Sequence, residues 1–309
     1  MKKFVKILIV LVLAAAIYSL IPVASLYMTK DPEPYTNDRA VSRLAGNDGN
    51  NFQFIVLGDN HAGLIYNDSA TLKLARHINR EDRFKKLPID FVAILGDVTL
   101  RGSEWDYKTY NKIRSLIKWP VVSAIGNHDD DRGGIKFFEK YIGKYEMAFA
   151  DRNSYFIIAD NISGDIDEEK FAWLEKELER SQAYAHRFVM LHKAPLSPYQ
   201  QSWYRPELSP WSYKFMKLCE KYKVDMVLSG HEHMFKEGRY GGVTYITSGG
   251  GGMFIQVPES DGGFLHYVVV RVYGDYVDYE VRKIFPPLWE FLTYYMWKEL
   301  LYFVKDVLY

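Results

Sequence analysis

The chain of 309 residues has little cysteine, since Cys219 is the only one. A single cysteine excludes an intrachain disulfide and a thiolate metal cluster. Cys219 lies in an amphipathic helical pattern, and we expect it to be buried and inert. No repeat of fixed period, no serine nucleophile motif and no dinucleotide-binding glycine fingerprint is present, which excludes the enzyme classes that depend on those motifs.

The chain also has no excess of positive or negative residues, because 39 Lys and Arg balance 39 Asp and Glu. Residues 1–30 hold four lysines and no acid, so residues 31–309 carry 35 basic and 39 acidic side chains, a net charge of −4. A mildly acidic body argues against nucleic-acid binding through phosphate neutralisation, and no such surface is expected. With 48% apolar and 25% charged residues, the chain has the composition of a folded globular protein.

The N-terminal segment, residues 1–30, is expected to be a membrane anchor or a secretion signal. Residues 7–27 carry no charge and follow Lys2, Lys3 and Lys6. A run of this length spans a bilayer as a helix, with the lysines on the cytoplasmic side. The alternative is a cleaved signal peptide with its apolar core at residues 7–16. We therefore expect a single-pass protein of the cell membrane with its body outside the cytoplasm or, after cleavage, a secreted or periplasmic protein.

Composition divides the rest of the chain into three parts. Residues 31–50 are rich in Asp, Pro, Asn and Gly and are interpreted as a solvated linker. Residues 51–283 form the main domain, and residues 284–309 an amphipathic, aromatic-rich helix that starts after Pro286 and Pro287. This last helix either docks on the domain or lies in a membrane interface. Membrane lipid is thus an expected partner through residues 7–27 and, in the second alternative, residues 288–309.

Within the main domain, short β-branched and aromatic runs alternate with helical patterns. The runs cover residues 52–57, 91–95, 121–125, 155–159, 188–191, 226–228 and 241–247. The helical patterns cover residues 68–83, 103–118, 167–181 and 212–222. Two later runs, 265–273 and 276–281, flank Gly274-Asp275 and predict a hairpin. Alternating strands and helices with a closing hairpin predict an α/β domain that has an antiparallel part.

Five of the predicted strands are followed by residues that bind metals well. The segments are Gly58-Asp59-Asn60-His61, Gly96-Asp97, Gly126-Asn127-His128-Asp129, His192 and Ser229-Gly230-His231-Glu232-His233. Ligands of open α/β sheets bind at the carboxyl ends of the strands, so we expect these segments to meet. Five of the eight histidines lie in them. The pattern therefore indicates one functional site rather than five unrelated turns.

The residue types in these segments predict a site for two metal ions. Carboxylate, imidazole and amide ligands without sulfur suit Mn, Fe, Zn or Co. Two ions ~3.5–4 Å apart clamp the oxygens of a phosphoryl group during in-line displacement. Two ions sharing one carboxylate need about seven protein ligands. The seven candidates are Asp59, His61, Asp97, Asn127, His192, His231 and His233.

In chain order these motifs are D-x-H, G-D, G-N-H-D, H and G-H-x-H. They resemble the motifs of the calcineurin-like metallophosphoesterase family, and the resemblance covers roughly residues 52–250. Residues 171–175 also resemble the Q-x-x-W-L-E helix of the class III cyclic nucleotide phosphodiesterase and purple acid phosphatase branch, with Phe171 in place of glutamine. The resemblance implies a four-layer sandwich of two mixed β-sheets flanked by helices. Here an N-terminal membrane segment precedes it.

The resemblance also implies a role for each motif residue. Asp59, His61 and His233 hold one ion, Asn127, His192 and His231 hold the other, and Asp97 bridges them. Asn127 also touches a phosphoryl oxygen of the substrate. His128 is then the general acid for the leaving oxygen, oriented by Asp129.

Arg101 lies in a stretch, residues 96–102, that is similar to G-D-x-V-D-R-G of protein Ser/Thr phosphatases, with Leu100 in place of the second Asp. It is either a catalytic residue that binds the substrate phosphate or a surface arginine at the start of the next helix. The four-glycine run Gly249–Gly252 either lets backbone approach the site or forms a flexible turn.

The function implied is hydrolysis of a phosphodiester or phosphomonoester by a metal-bridging hydroxide, with His128 as general acid. Two alternatives remain: a hydrolase of a membrane lipid phosphate or pyrophosphate, and a catalytically silent, membrane-anchored metal-binding adaptor. The chain keeps all seven candidate ligands and His128, which favours an enzyme.

Overall fold

The computed structural model describes residues 21–44, 47–84, 87–164, 166–195, 210–255 and 257–285. Within these residues the strands, in chain order, are β1 (Asn51–Leu57), β2 (Ile89–Leu95), β3 (Val121–Ala124), β4 (Met147–Asp151), β5 (Ser154–Ile158), β6 (His186–Met190), β7 (Met226–Ser229), β8 (Phe235–Tyr240), β9 (Val243–Ser248), β10 (Leu265–Tyr273) and β11 (Tyr276–Ile284). Residues 21–28 are helical. The later helices are α1 (Asn37–Ser42), α2 (Ile65–Ile78), α3 (Glu104–Arg114), α4 (Ile135–Tyr141), α5 (Glu168–Arg180) and α6 (Pro210–Lys221).

These strands form two mixed sheets. The first has the order β11-β10-β1-β2-β3, and the second β4-β5-β6-β7-β9-β8. Strands β1, β2 and β3 are parallel to one another, as are β5, β6, β7 and β9. The hairpin of β10 and β11 adds the antiparallel part, with Tyr273 paired to Tyr276 across the turn. The predicted hairpin and the predicted α/β class are confirmed.

A core of aromatic side chains joins the two sheets. Phe54 of β1 stacks on Phe91 of β2 with ring centroids 5.1 Å apart, and it meets Phe156 and Phe188 of the second sheet edge-on at 5.2 and 5.0 Å. All four rings are fully buried. Because burial of such large apolar surfaces is the main favourable contribution to folding, this layer holds the sheets face to face.

The outer face of each sheet is covered by helices. Helices α2, α3 and α4 supply Leu74, Tyr107 and Phe138 to the core of the first sheet. Helices α5 and α6 supply Leu178 and Phe215 to that of the second. Helix α3 starts where the Ser103 hydroxyl accepts from the Asp106 amide, and α5 starts at the matching cap, Asp167. The result is two mixed sheets flanked by helices, as predicted.

The prediction of a single-pass membrane protein is wrong for the residues that the structure describes. No helix among them is both long and apolar enough to cross a bilayer. Of the predicted span, residues 7–20 lie outside the described residues. The described end of that span packs on the domain instead, since Val23 and Leu26 are 1% and 5% exposed in the core of the first sheet. These two apolar side chains are buried against protein.

The stretch predicted as a solvated linker also makes contacts with the domain. The Asn111 amide of α3 donates to the carbonyls of Pro32 and Glu33, and the buried Asn37 side chain bonds Ser123 of β3. Residues 288–309, predicted as an amphipathic helix, lie outside the described residues. Their role, the lipid partner and the domain boundaries stay predictions.

Candidate metal centre

The loops after five strands bring the predicted metal ligands together. One ligand atom from each of Asp59, His61 and His233 lies within 4.8 Å of the other two, and the same holds for Asp97, His192 and His231. Within the described residues these two triads lie at the carboxyl ends of β1, β2, β6 and β7. Parallel strands explain the convergence, because the carboxyl ends of β1 and β2 share an edge of the first sheet, those of β6 and β7 share an edge of the second, and the two sheets pack face to face.

Several of these ligands have unusual backbone conformations. Asp59, His61, Asp97 and His231 have φ values of 64°, 46°, 48° and 72°. Residues other than glycine avoid positive φ, and the strain persists where the surrounding structure fixes it, most often at functional sites. The backbone of the loops therefore fixes the positions of these four ligands.

Asp97 lies between the two triads. Its Oδ2 is 3.4 Å from His61 Nε2 and 3.2 Å from His192 Nε2. Asn127, which follows β3, places its Oδ1 3.2 Å from the same His192 nitrogen. His231 Nδ1 is 3.3 Å from His192 Nε2 as well. All seven predicted ligands thus surround one small volume, with one carboxylate common to both halves.

Hydrogen bonds to backbone carbonyls orient two of the imidazole rings. His192 Nδ1 lies 2.8 Å from the Leu95 carbonyl oxygen, and His233 Nδ1 lies 3.0 Å from that of Phe254. A carbonyl only accepts, so in each ring Nδ1 carries the proton and Nε2 faces the cluster. Such partners fix the tautomer and the ring orientation of metal-binding histidines.

Burial and mutual charge set the protonation of the site. Burial lowers the pKa of His61 well below its ordinary value, and it lowers the pKa of His233 and His231 to about 4 and about 3. Burial would also lower the pKa of His192, but the Asp97 and Asp59 carboxylates outweigh it and raise that pKa to about 9. The same attraction overcomes burial at Asp97 and holds the pKa of its carboxyl well below the usual range.

These residues fit divalent cations. Both ring nitrogens of His61 are buried and have no hydrogen-bond partner within the described structure. A buried polar atom without a partner is costly, so a cation there would satisfy it. The donors are carboxylate oxygens, imidazole nitrogens and one amide oxygen, which suit Mn, Fe, Zn or Co. Three histidines with lowered pKa values also present the neutral form that binds metal.

His128 borders the cluster. One of its ring nitrogens lies within 4.8 Å of ligand atoms of His61 and Asp97, and the ring is 37% exposed. His128 Nδ1 donates to the Leu100 carbonyl at 2.9 Å, so Nε2 is the ring nitrogen that does not face this carbonyl.

The expectation that Asp129 orients His128 is wrong. The buried Asp129 carboxylate instead accepts from the Val98, Thr99 and Gly126 amides at 3.2, 2.9 and 2.8 Å. It thereby ties the loop after β2 to the loop after β3. The nearest carboxylate to the His128 ring that the structure shows is that of Asp131, 3.5 Å from Nδ1.

Arg101 bonds the turn that follows His61 and the start of α3. Its Nη2 donates to Asp106 Oδ1 at 3.1 Å and to the Gly63 carbonyl at 3.2 Å, and its side chain is 46% exposed. Helix α3 begins at Glu104, three residues later, so Arg101 belongs to the loop after β2 and not to the helix.

The four-glycine run packs directly behind the site. A Cβ at Gly251 would lie 2.1 Å from the Gly58 carbonyl oxygen, and one at Gly249 would lie 2.9 Å from Asp59 Oδ2. The absence of side chains lets this backbone approach the loop that carries Asp59. The close-approach interpretation of the run is confirmed.

Sequence reasoning missed Asn161, which holds the backbone of His192. Its buried Oδ1 accepts from the His192 and Lys193 amides at 3.2 and 3.0 Å, and its Nδ2 donates to the Lys193 carbonyl at 2.7 Å. Asn161 follows β5, a strand that the sequence did predict. The rule used for the other five strands, to inspect the residues that follow each one, would have found it.

Comparison with known proteins identifies the family. The family model described as "Calcineurin-like phosphoesterase" matches residues 52–235, more than half of the chain. The chain belongs to the calcineurin-like phosphoesterase family. A curated relative named "Probable cyclic nucleotide phosphodiesterase", from Vesicomyosocius okutanii subsp. Calyptogena okutanii, is 26% identical over 207 residues, which cover 64% of this chain and 85% of the relative.

Two further proteins resemble this calcineurin-like phosphoesterase. A "Phosphoenolpyruvate phosphatase" of Allium cepa is 25% identical over 226 residues, covering 64% of this chain but 44% of that protein. A solved structure titled "GAP50 the anchor in the inner membrane complex of Plasmodium" matches with a TM-score of 0.58 and 15% identity, over 76% of this chain and 85% of that one. At this identity the structural match shows the fold alone. The family and its relatives make this calcineurin-like phosphoesterase a metal-dependent phosphoester hydrolase.

Proposed function

We propose that this protein hydrolyses a small phosphodiester at a centre for two divalent cations. The observation that carries the proposal is Asp97, whose Oδ2 lies 3.4 Å from His61 Nε2 and 3.2 Å from His192 Nε2. One carboxylate between two ligand triads is the arrangement that a two-metal site needs. The relative named as a probable cyclic nucleotide phosphodiesterase supports a diester over a monoester.

The ligand sets follow the two triads. Asp59, His61 and His233 would hold one cation, and Asn127, His192 and His231 the other, with Asp97 shared. When bound, such cations neutralise phosphoryl oxygens and activate water for in-line attack. The Asn127 amide would also bind a phosphoryl oxygen of the substrate. Sulfur is missing from the set, so we expect Mn, Fe, Zn or Co.

His128 would supply the proton for the leaving oxygen. The Leu100 carbonyl holds Nδ1, so the proton is transferred from Nε2, on the opposite side of the ring. The ring is partly exposed and borders His61 and Asp97, which allows it to reach a substrate and to regain a proton from solvent. General-acid catalysis of this kind contributes about 10²–10⁴-fold to rate.

The test is metal-restored turnover by the full-length protein after removal of bound metal. Bis-p-nitrophenyl phosphate and p-nitrophenyl phosphate are assayed with Mn, Zn, Fe or Mg, beside Asp97→Ala and the exposed control Asp130→Asn. We expect turnover that favours the diester, falls to background in Asp97→Ala and persists in Asp130→Asn. Preference for the monoester would replace the diester proposal. Failure with every metal in a folded protein that binds two ions would support the silent-adaptor alternative.

A further inference from the structure

The segment before the family-matched residues contacts α2 and α3, the helices that follow the site loops after β1 and β2. The family model starts at residue 52, whereas residues 21–28 form a helix whose Val23 and Leu26 are buried in the domain core. Tyr27 follows on the same helix. Its hydroxyl donates to Asp68 Oδ2, and its ring centroid is 5.6 Å from that of Trp105. The Tyr27 carbonyl accepts from Lys112 Nζ at 3.3 Å, which fixes the backbone as well.

Asp68 connects Tyr27 to the turn that follows His61. The Asp68 side chain is fully buried, and its second oxygen accepts from the Gly63 amide at 3.0 Å. Gly63 has a φ of +113°, which favours glycine. A Cβ at Gly63 would lie 1.9 Å from Asp106 Oδ1, so no larger residue fits this turn.

The same turn helps to hold Arg101. The Gly63 carbonyl accepts from Arg101 Nη2 at 3.2 Å, and the fully buried Asp106 accepts from Arg101 Nη2 and Nε at 3.1 and 3.4 Å. The residue before Arg101 supplies the carbonyl that holds His128. The guanidinium is therefore bonded to the turn that follows His61, in a loop whose Leu100 holds His128, and nearly half of the side chain is exposed.

We propose that Tyr27 is a positioning residue for Arg101: through Asp68 and the Gly63 turn it holds the guanidinium where an anionic phosphoryl oxygen of the substrate binds. This inference rests on the proposed function, because it needs a phosphoester substrate. A segment outside the family-matched residues thus completes the substrate site. Removing the Tyr27 hydroxyl leaves one oxygen of a fully buried carboxylate without its donor, and the Gly63 turn loses its fixed position. A planar guanidinium binds phosphate in a fixed geometry, so misplacement weakens binding.

The first experiment compares Tyr27→Phe with the matched control Tyr35→Phe in the full-length, manganese-loaded protein. Tyr35 belongs to the same segment, but its hydroxyl bonds Arg43 at the exposed surface. Calorimetric titration with inorganic phosphate should give a Kd about 3–10-fold weaker in Tyr27→Phe, a change typical of one lost polar contact. The KM for bis-p-nitrophenyl phosphate should rise by a similar factor with little change in kcat, and Tyr35→Phe should match wild type.

A double-mutant cycle shows whether Tyr27 acts through Arg101. On an Arg101→Ala background, Tyr27→Phe should weaken phosphate binding no further, since its effect passes through the missing guanidinium. Faster hydrogen exchange at the Gly63 amide in Tyr27→Phe would show the loosened turn directly. An equal loss on both backgrounds, or no loss at all, would overturn the inference.

Failure of this inference is distinguishable from failure of the proposed function. If the wild type lacks phosphodiesterase turnover yet binds phosphate, the cycle in phosphate affinity still decides the role of Tyr27. If the metal-loaded wild type does not bind phosphate, Arg101 does not bind a phosphoryl oxygen and the inference is wrong. A KM effect in an active enzyme supports both.

Discussion

His128 and Asp97 have different surroundings in one cluster. Asp97 is almost fully buried between two imidazoles, whereas His128 is partly exposed at the edge with one nitrogen fixed by a carbonyl. The neighbouring His192 overcomes the effect of burial and keeps the Asp97 carboxyl ionised, which suits a metal ligand. Exposure with one free nitrogen suits proton transfer.

Replacing the proposed general acid should affect poor leaving groups most. His128→Asn keeps a donor for the Leu100 carbonyl but cannot supply a proton. We expect kcat to fall by about 10²–10⁴-fold for 3′,5′-cyclic AMP, whose leaving oxygen is an alkoxide. The loss for bis-p-nitrophenyl phosphate should be far smaller, because p-nitrophenolate leaves without a proton. Equal losses on both substrates would contradict the assignment.

Asp151 gives the stability of the protein a pH dependence away from the site. Burial first, and then the neighbouring Asp90 carboxylate, raise the pKa of Asp151 to about 7. An ordinary Asp has a pKa of about 3.9, so the folded state holds its proton more tightly than the unfolded state. This contribution to stability is complete below about pH 4 and is lost as the pH rises through about 7.

We therefore expect the urea midpoint of the wild type to fall between pH 5 and pH 8, and Asp151→Asn to reduce that fall. Asp48→Asn, in which a nearby exposed carboxylate is removed, serves as the control and should keep the wild-type dependence. The midpoints are read from tryptophan fluorescence. The same pH dependence in Asp151→Asn and wild type would show that another group is responsible.

At the scale of elements, the site was predictable because parallel strands leave little freedom in where their loops go. Once the apolar runs of β1, β2, β3, β6 and β7 are recognised, the carboxyl ends of the first three share an edge of one sheet and those of β6 and β7 an edge of the other. The site forms where these two edges meet. Strand β8 was missed because its residues are mostly exposed or half-buried, without a strong apolar pattern. The short helix α4 was also missed and the role of Asp129 was predicted wrongly, since both depend on tertiary contacts that local sequence does not encode.

The close approach of the glycine run to β1 makes a second kind of prediction at this scale. Gly251→Ala places a Cβ 2.1 Å from the Gly58 carbonyl oxygen, next to Asp59. We expect the free energy of unfolding to fall by about 3 kcal/mol or more, because the backbone must move to make room for the added Cβ. We also expect weaker metal binding.

The control is Gly133→Ala, where φ is +74° and no atom lies within 4 Å of the added Cβ. Its cost is only the strained backbone, roughly 1–2 kcal/mol. Metal affinity should be unchanged in this variant. Equal costs and unchanged metal binding in both variants would show that close packing behind Asp59 is unimportant.

At the scale of the whole molecule, the structure extends the family domain at its N-terminal side. An uncharged run next to lysines predicts a membrane span from sequence, and local sequence carries no sign that its last residues pack on a distant sheet. Val23 and Leu26 contact a core built mainly from residues 55–284. Such a contact follows from the fold, and sequence patterns alone did not predict it.

Leu26→Ala should therefore destabilise the whole domain. Leu26 is 5% exposed, and removing a buried leucine costs about 2–5 kcal/mol. Met28→Ala, two residues away at an 88% exposed position, should change the unfolding free energy by less than about 0.5 kcal/mol. Urea denaturation of both variants measures the difference. A Leu26→Ala variant as stable as wild type would mean that this helix does not pack on the domain.

We propose above that one carboxylate, Asp97, joins two ligand triads into a single two-cation centre. The most direct measurement titrates the metal-free, full-length protein with Mn²⁺ or Zn²⁺ and follows bound metal and bis-p-nitrophenyl phosphate turnover together. We predict that both rise to a plateau at two ions per chain, and that Asp97→Ala loses the plateau in activity. Full activity at one ion per chain, or two tightly bound ions with full activity in Asp97→Ala, would contradict the account.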